Sequence, residues 1–386
     1  MKLLEESATG RSSSDSLDAE AFLLSILRGR SGFWPALIRL LLATLAPVYC
    51  TGLKLYLLPY RIGIRRQFRL PCPVIVVGNL TTGGTGKTPL TQTLCRMLQA
   101  SGVRVVILNR GYGGRHEYGC AVVSDETTVY MEALEAGDEA VLLARTLPGI
   151  PVIVGKDRRK TGSLAWERFR PHVIVLDDGL QFWQLHRDLN IVLLNAAEPF
   201  DNGWTFPRGL LREPPSHLRR AGLIVLTNAN HVEHAPLQAL KRRVEQLAPG
   251  RPICTSALVA ADLREIGAES IQPTSWLQAR SVTAMSALGN PESFEKTLAE
   301  LGAKVVERFR FRDHQPISEA DLENVLARSR NSESTAIITT EKDAVKLKSS
   351  GTTPPIFSLR VSMRIDQESL FLETVRGVIR PPKPTV

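Results

Sequence analysis

Apolar residues in this chain fall into short uninterrupted runs separated by segments of helical length. The runs are Val74–Val77, Val103–Leu108, Val152–Val154, Val173–Leu176, Ile191–Leu194 and Leu223–Leu226. A strand that is apolar at every position, not at alternate ones, has both faces covered, which is the condition of a strand inside a parallel sheet flanked by helices. After the first run, Leu90, Leu94, Met97 and Leu98 recur at helical spacing, so a strand followed by a helix is predicted there. The alternation predicts an α/β fold with a doubly wound, mostly parallel sheet over residues 71–235. Around residues 229–256 the pattern weakens into a polar stretch holding His231, His234, Pro236, Pro249, Gly250 and Pro252. A linker is expected at 236–256, followed over 257–386 by a second, smaller α/β domain. Its strands are predicted near Val282–Met285, Val305–Phe309, Ala336–Thr340 and Ile356–Leu359, and its helices near Pro291–Leu301, Ser318–Ala327 and Gln367–Ile379.

The N-terminal part follows other rules. Residues 1–20 are rich in Ser, Asp and Glu and poor in apolar residues, the composition of a disordered tail. Residues 21–70 then combine an apolar stretch, from Phe33 and Trp34 through Leu58, with Arg28, Arg30, Arg39, Lys54, Arg61, Arg65, Arg66 and Arg69, and contain no Asp or Glu. Such a segment predicts a helix lying on an anionic membrane surface, because each cation near the leaflet contributes about 1 kcal/mol and a carboxylate would oppose it. The uncharged run between Arg39 and Lys54 falls short of the ~20 residues that span a bilayer, and Pro47 interrupts it. The alternative is a helix packed into the core. An acidic tail ahead of the apolar stretch does not fit a signal peptide.

Composition changes this picture in two places. The net charge of +9 across 386 residues raises nucleic acid as a partner, but residues 21–70 supply +8 of it. A nucleic-acid-binding face needs basic residues interleaved with exposed aromatics across a domain, so no nucleic acid is expected. The five cysteines, Cys50, Cys72, Cys95, Cys120 and Cys254, form no CxxC pair, which argues against a disulfide framework or a zinc site and for a reducing cytosol.

Candidate chemistry begins at the end of the first strand. Thr81-Thr82-Gly83-Gly84-Thr85-Gly86-Lys87-Thr88 has the make-up of a phosphate-binding loop, in which backbone N–H groups and a helix N-terminus converge on phosphate oxygens. Lys87 would bring a charge to the phosphates and Thr88 a hydroxyl to Mg²⁺. Thr81 stands where the GxxxxGK[ST] pattern has its first glycine. The apolar run Val173–Leu176 ends in Asp177-Asp178-Gly179, as expected of a strand that offers carboxylates to Mg²⁺ beside such a loop. Either carboxylate could contact the metal. A guanine-reading Asn-Lys-x-Asp motif is absent where the chain reads Leu226-Thr227-Asn228-Ala229-Asn230, so ATP is the expected nucleotide. Partition-type ATPases carry a lysine just before the paired glycines, where this chain has Thr82. A membrane-associated regulatory P-loop ATPase remains the rival to an enzyme with a small-molecule acceptor.

These motifs occur in order with others: Arg110-Gly111-Tyr112, Gly137-Asp138-Glu139-Ala140, Asp157-Arg158, Asp177-Asp178-Gly179-Leu180-Gln181, His186-Arg187-Asp188-Leu189, Leu211-Arg212-Glu213-Pro214, Asp313-His314 and Thr340-Glu341-Lys342-Asp343. The set resembles the tetraacyldisaccharide 4'-kinase (lipid A 4'-kinase) family of P-loop NTPases from about residue 35 onward. Departures are Ala140, where the family often has Pro, Leu180, where an aromatic is common, and Asn109, where Ser is usual. The resemblance implies transfer of the ATP γ-phosphoryl group to the 4'-hydroxyl of an acylated glucosamine disaccharide lipid at the cytoplasmic face of the inner membrane. It implies Asp138 and His314 as the groups that deprotonate the sugar hydroxyl, with Lys87 on the phosphates. Thr88, Asp178 and Glu213 would meet Mg²⁺, with Asp177 the alternative to Asp178, and Gln181 would bind a metal water. Arg212 reads equally as a structural ion pair.

Overall fold

The structure, a computed structural model, describes residues 25–27, 29–289, 291–312, 315, 317–347 and 351–379. The expected tail at 1–20 and the Asp313-His314 motif lie outside them. Within the described residues the chain forms two compact units. One is the chain up to Arg66 with Leu80–Thr82 and Glu198–Arg219; the other is Gln67–Asn79, Gly83–Ala197 and everything from Arg220 on.

The larger unit is an α/β fold built on one sheet. Its strands are β1 (Val74–Asn79), β2 (Val105–Asn109), β3 (Ala121–Ser124), β4 (Val152–Val154), β5 (Val173–Asp177), β6 (Leu189–Asn195), β7 (Leu223–Thr227), β8 (Ile253–Glu265), β9 (Ile271–Pro273), β10 (Ser281–Ser286), β11 (Lys304–Arg310), β12 (Ala336–Thr340) and β13 (Ile356–Ile365). They lie in the order β11-β10-β12-β13-β8-β7-β6-β1-β5-β2-β4-β3, with β9 on β8. Pairing is parallel except at β8–β13, β3–β4 and β8–β9. The apolar runs behave as their pattern requires: every residue of β1, β2, β5 and β7 is buried. Lys87–Ala100 is the helix after β1, and it buries Leu90, Leu94 and Leu98 on one stripe four residues apart. Truncating any of these to alanine would cost about 2–5 kcal/mol.

No break in this sheet corresponds to the linker expected at 236–256. His234–Leu247 is a helix, and β8 then pairs in parallel with β7 and antiparallel with β13. The strands of both expected halves therefore join edge to edge through β8. The antiparallel seam carries a charged cross-strand pair, Arg360 opposite Asp262, in which Arg360 Nε donates to Asp262 Oδ1 at 2.9 Å.

The smaller unit holds the helix Phe33–Arg61. Its buried residues are Pro35, Ala46 and Leu57, spaced eleven apart, which is three helical turns and so one narrow stripe. Trp34, Leu40, Leu41, Val48 and Leu55 are exposed, so the helix is not the core element of the alternative reading. Tyr49 Oη donates to the Arg212 carbonyl at 2.8 Å, and the Tyr49 ring meets Phe206 edge-on.

The Arg360 hydrogen bond holds Asp262 below the usual carboxylate range. A depressed folded-state pKa contributes stability above the unfolded value of about 3.9, and that contribution is lost as pH falls through the folded value. Asp262→Asn should therefore lower unfolding free energy by about 1–3 kcal/mol at pH 7. The gap to wild type should close as urea titrations are repeated from pH 4 downward.

Candidate functional site

Register sets the site. β1 and β5 are adjacent with Val77 beside Asp177, so the glycine loop that follows β1 and the carboxylates that end β5 emerge from the same, carboxyl edge of the sheet. Ligands of open α/β sheets bind at this edge. Gly86 caps the Lys87–Ala100 helix in the left-handed region at φ 81. A Cβ there would also come within 2.8 Å of Met363 Cε, so the turn calls for glycine and the packing favours it.

The lysine of the loop is held in place. Lys87 Nζ donates to Asn79 Oδ1 at 3.3 Å and lies 3.8 Å from Asp178 Oδ2. Asn79 in turn donates from Nδ2 to Thr85 Oγ1 at 2.9 Å, and its carbonyl accepts from Gln181 Nε2 at 3.0 Å. One asparagine thus ties the strand end, the loop and the lysine together, and Gln181 braces that strand end from the β5 side. Thr88 is the second residue of the helix, directly after Lys87.

The two aspartates differ. Asp177 is buried, and both of its oxygens are engaged: Oδ1 accepts from Thr91 Oγ1 at 2.8 Å and Oδ2 from Asn109 Nδ2 at 3.1 Å. Burial first, and the negative charge of Glu139 next, push its carboxyl up. Asp178 follows at φ 49 with its side chain 29% exposed beside Lys87. The left-handed conformation, which aspartate tolerates better than most residues, turns Asp178 away from the direction taken by Asp177. Asn109, a departure from the family pattern, is used fully, since its Oδ1 also accepts from the Gly111 N–H at 2.8 Å.

Asp138 begins the helix Asp138–Thr146, capped by Gly137 at φ 84. It is buried, and its Oδ1 accepts from the Glu139 N–H at 2.9 Å. Glu139, the next residue of the same Gly137-Asp138-Glu139-Ala140 motif, has no role predicted from sequence. Burial raises its pKa, while Lys342 and Lys87 act in the opposite direction, so it belongs to the same electrostatic cluster as Lys87, Asp177 and Asp178. A carboxylate adjacent to another carries no separate signal in the sequence.

The smaller unit holds Thr81, Thr82 and Glu213. Thr81 bridges antiparallel to Leu211, and Thr82 N donates to the Leu210 carbonyl at 2.8 Å. The backbone at Thr81 lies outside the left-handed region, which is why the missing first glycine is no obstacle. Glu213 is buried, and its Oε2 accepts from His217 Nδ1 at 2.7 Å. Arg61 Nη2 lies 3.3 Å from His217 Nε2, and a donating guanidinium there leaves Nδ1 as the protonated nitrogen.

The glycine loop, Lys87 and the aspartates of the larger unit fit ATP with Mg²⁺. The positions a Cβ would take on Gly83 and Gly84 meet nothing within 4 Å, leaving the loop backbone open to a ligand. Mg²⁺ in nucleotide sites is held by one or two carboxylates and the phosphates, not by a protein cage. Among the described residues no group of three or more His, Cys, Asp or Glu forms such a cage.

Comparison with known proteins shows similarity over most of the chain. The family described as tetraacyldisaccharide-1-P 4'-kinase matches residues 38–380. The tetraacyldisaccharide 4'-kinase of Geobacter metallireducens is 40% identical over 311 residues, covering 81% of this chain and 89% of the relative. That of Pelobacter propionicus is 42% identical over 312 residues, covering 80% and 84%. Among solved structures, the "apo" form of LpxK from Aquifex aeolicus in complex with ATP aligns with a TM-score of 0.73 at 31% identity, over 89% of this chain and all of that one.

The contrast between the aspartates is testable by stability alone. Asp177→Ala strands the Thr91 hydroxyl and the Asn109 amide in the interior and should cost about 2 kcal/mol or more. Asp178→Asn, on a partly exposed side chain in a conformation asparagine accepts, should stay within about 0.5 kcal/mol of wild type in urea denaturation.

Proposed function

Because the chain belongs to the tetraacyldisaccharide-1-P 4'-kinase family, we propose that it transfers the γ-phosphoryl group of ATP to the 4'-hydroxyl of a tetraacylated glucosamine disaccharide 1-phosphate, a step of lipid A biosynthesis. The observation that carries the reading is the Lys87 ammonium set between Asn79 and Asp178 at the end of the glycine loop. Phosphoryl transfer asks little covalent chemistry of a protein and much positioning of charge. Lys87 and the loop N–H groups of Thr81 through Thr88 hold the phosphates. Thr88 and Asp178 would hold Mg²⁺, which supplies positive charge on the phosphate oxygens. Asp177, with both oxygens committed, orients the loop and the helix behind it. Gln181 and Glu213 are assigned to the metal's surroundings, Gln181 through a water.

A sugar hydroxyl is a poor nucleophile at neutral pH, so a positioned base accelerates its attack, typically by ~10²–10⁴. Asp138 takes that role here. Its carboxylate is buried and oriented by the first turn of its own helix. His314 is proposed as its partner on the Asp313-His314 motif alone.

The Phe33–Arg61 helix is assigned to the cytoplasmic face of the inner membrane. By length and composition it could cross a bilayer, yet the uncharged run from Leu40 to Leu53 would measure about 21 Å as helix, against a hydrocarbon core of about 30 Å. A helix lying in the interface satisfies both its exposed leucines and its flanking cations.

Two measurements check these assignments. Lys87→Ala and Thr88→Ala should each remove lipid phosphorylation by at least ~10³ while leaving the melting curve intact; ATP consumed by wild type with no new phosphomonoester on the disaccharide lipid would replace the kinase reading by that of a regulatory ATPase. In sedimentation, the protein should bind anionic vesicles more tightly than neutral ones at low salt. Raising the salt should weaken this without abolishing it, since charge is screened beyond about 8 Å at physiological ionic strength and apolar contact is not. Equal binding to both vesicle types would refute the electrostatic part.

A further inference from the structure

The face of Asp138 turned away from its own helix leads to a residue that the phosphate chemistry does not use. Lys346 is 8% exposed, and its Nζ lies 3.6 Å from Asp138 Oδ2 and 3.1 Å from Asp343 Oδ1. Asp343 has no exposed side-chain surface. Its Oδ2 accepts from the Ala287 N–H at 2.9 Å and from Thr340 Oγ1 at 2.7 Å. This aspartate is therefore fixed to the chain just beyond β10 and at the end of β12, and its other oxygen fixes the ammonium. The three groups form a chain of charges, minus, plus, minus, inside the larger unit.

The two distances to Lys346 matter because they differ. At 3.1 Å the contact with Asp343 is a charge-assisted hydrogen bond. At 3.6 Å the contact with Asp138 is an ion pair and too long to be a hydrogen bond. An ion pair at that length orients a carboxylate, and it competes less for the Oδ2 lone pairs than a short hydrogen bond would. Oδ1 accepts from the Glu139 N–H, so the helix turn orients one oxygen and the ammonium orients the other.

We infer that Lys346 is a positioning residue of the phosphoryl transfer: anchored by Asp343, it holds the Asp138 carboxylate and sets the direction in which it meets the acceptor hydroxyl. This rests on the reading of Asp138 as the base, and no bond to Lys346 is made or broken. On this assignment the ammonium acts through Asp138 and not on the acceptor directly. Nothing in the sequence marks it, because it stands three residues past the Thr340-Glu341-Lys342-Asp343 motif in an ordinary run, Ala344-Val345-Lys346-Leu347.

The experiment is steady-state kinetics of the full chain with ATP and the disaccharide lipid, on Asp138→Asn, Lys346→Met, Lys346→Arg and the double variant D138N/K346M, with nucleotide affinity measured separately. Expected are a loss in kcat of ~10² for K346M with the ATP KM within threefold, recovery of at least tenfold of that loss in K346R, and a double variant no slower than D138N, since two groups acting as a unit are not additive. Because K346M leaves two buried carboxylates without their cation, K346M/D343N is tested beside it. The D343N amide keeps a carbonyl oxygen for the Ala287 N–H, one charge of each sign is removed, and the same loss in kcat is expected from a folded protein. Full kcat in K346M or K346M/D343N, a loss confined to KM, or losses that multiply in D138N/K346M would overturn the assignment of Lys346 while leaving Asp138 in place. Wild-type kcat in D138N would instead remove Asp138 as the base, and the role of Lys346 with it.

Discussion

Everything at the carboxyl edge of the sheet depends on how one carboxylate is buried. Asp177 sits at the end of β5 with both oxygens occupied, one by Thr91 on the helix after β1 and the other by Asn109 at the end of β2. Burying a carboxylate is costly unless its acceptors are filled, and filling them here joins three elements at one point. The bond from Thr91 fixes the helix whose first residue is Lys87, and the bond from Asn109 fixes the strand that leads into Arg110-Gly111-Tyr112. With Asp177 committed inward, Asp178 takes the left-handed backbone and comes to lie beside the Lys87 ammonium. The division of labour between two adjacent, chemically identical side chains is thus a matter of burial.

That division is not legible in the sequence, which shows two aspartates after an apolar strand and no reason to prefer either. The loop itself is legible, because glycines, lysine and threonine at fixed spacing between a strand and a helix can be read locally. So are the fully apolar strands: a strand buried on both faces announces itself by composition alone. β3 and β8 do not. β3 is four residues long, with two of them only half-buried. β8 is introduced by Pro249, Gly250 and Pro252 and turns polar in its second half, where it faces β13 in an antiparallel pair. Its signal is that of a turn followed by a weak amphipathic run, which is why a linker is expected where the sheet continues.

The Phe33–Arg61 helix shows a different limit. Its sequence is apolar nearly all round, and such helices are ordinarily buried. Only the register of Pro35, Ala46 and Leu57, eleven residues apart, is buried within the described structure, and three positions in a field of leucines do not stand out by periodicity. What separates a core helix from a surface one is the charge around it. Arg39, Lys54 and Arg61 with no carboxylate among residues 21–70 make a poor core segment and a good partner for an anionic surface.

The C-terminal strands bear on the nucleotide loop through packing as well as through the sheet. Gly86 brings the backbone up to Met363 of β13, where an added side chain would press on the Met363 methyl. Thr93, further along the same helix, lies 3.4 Å from the Met363 carbonyl. β13 is held in turn by β12 in parallel and by β8 in antiparallel pairing, and β12 ends at Thr340, whose hydroxyl donates to Asp343. The strand that packs on the helix start at Gly86 and the strand whose last residue holds Asp343, the anchor of Lys346, are therefore neighbours in one hydrogen-bonded ladder. Close-packed interiors transmit displacement because they have little free volume to absorb it, so a shift of β13 would be felt at Gly86 and at Asp343 together. Gly86 at the helix start and Asp343 beyond β12 thus both take their positions from one ladder of the sheet, since Gly86 packs on β13 and Asp343 is held by the last residue of β12.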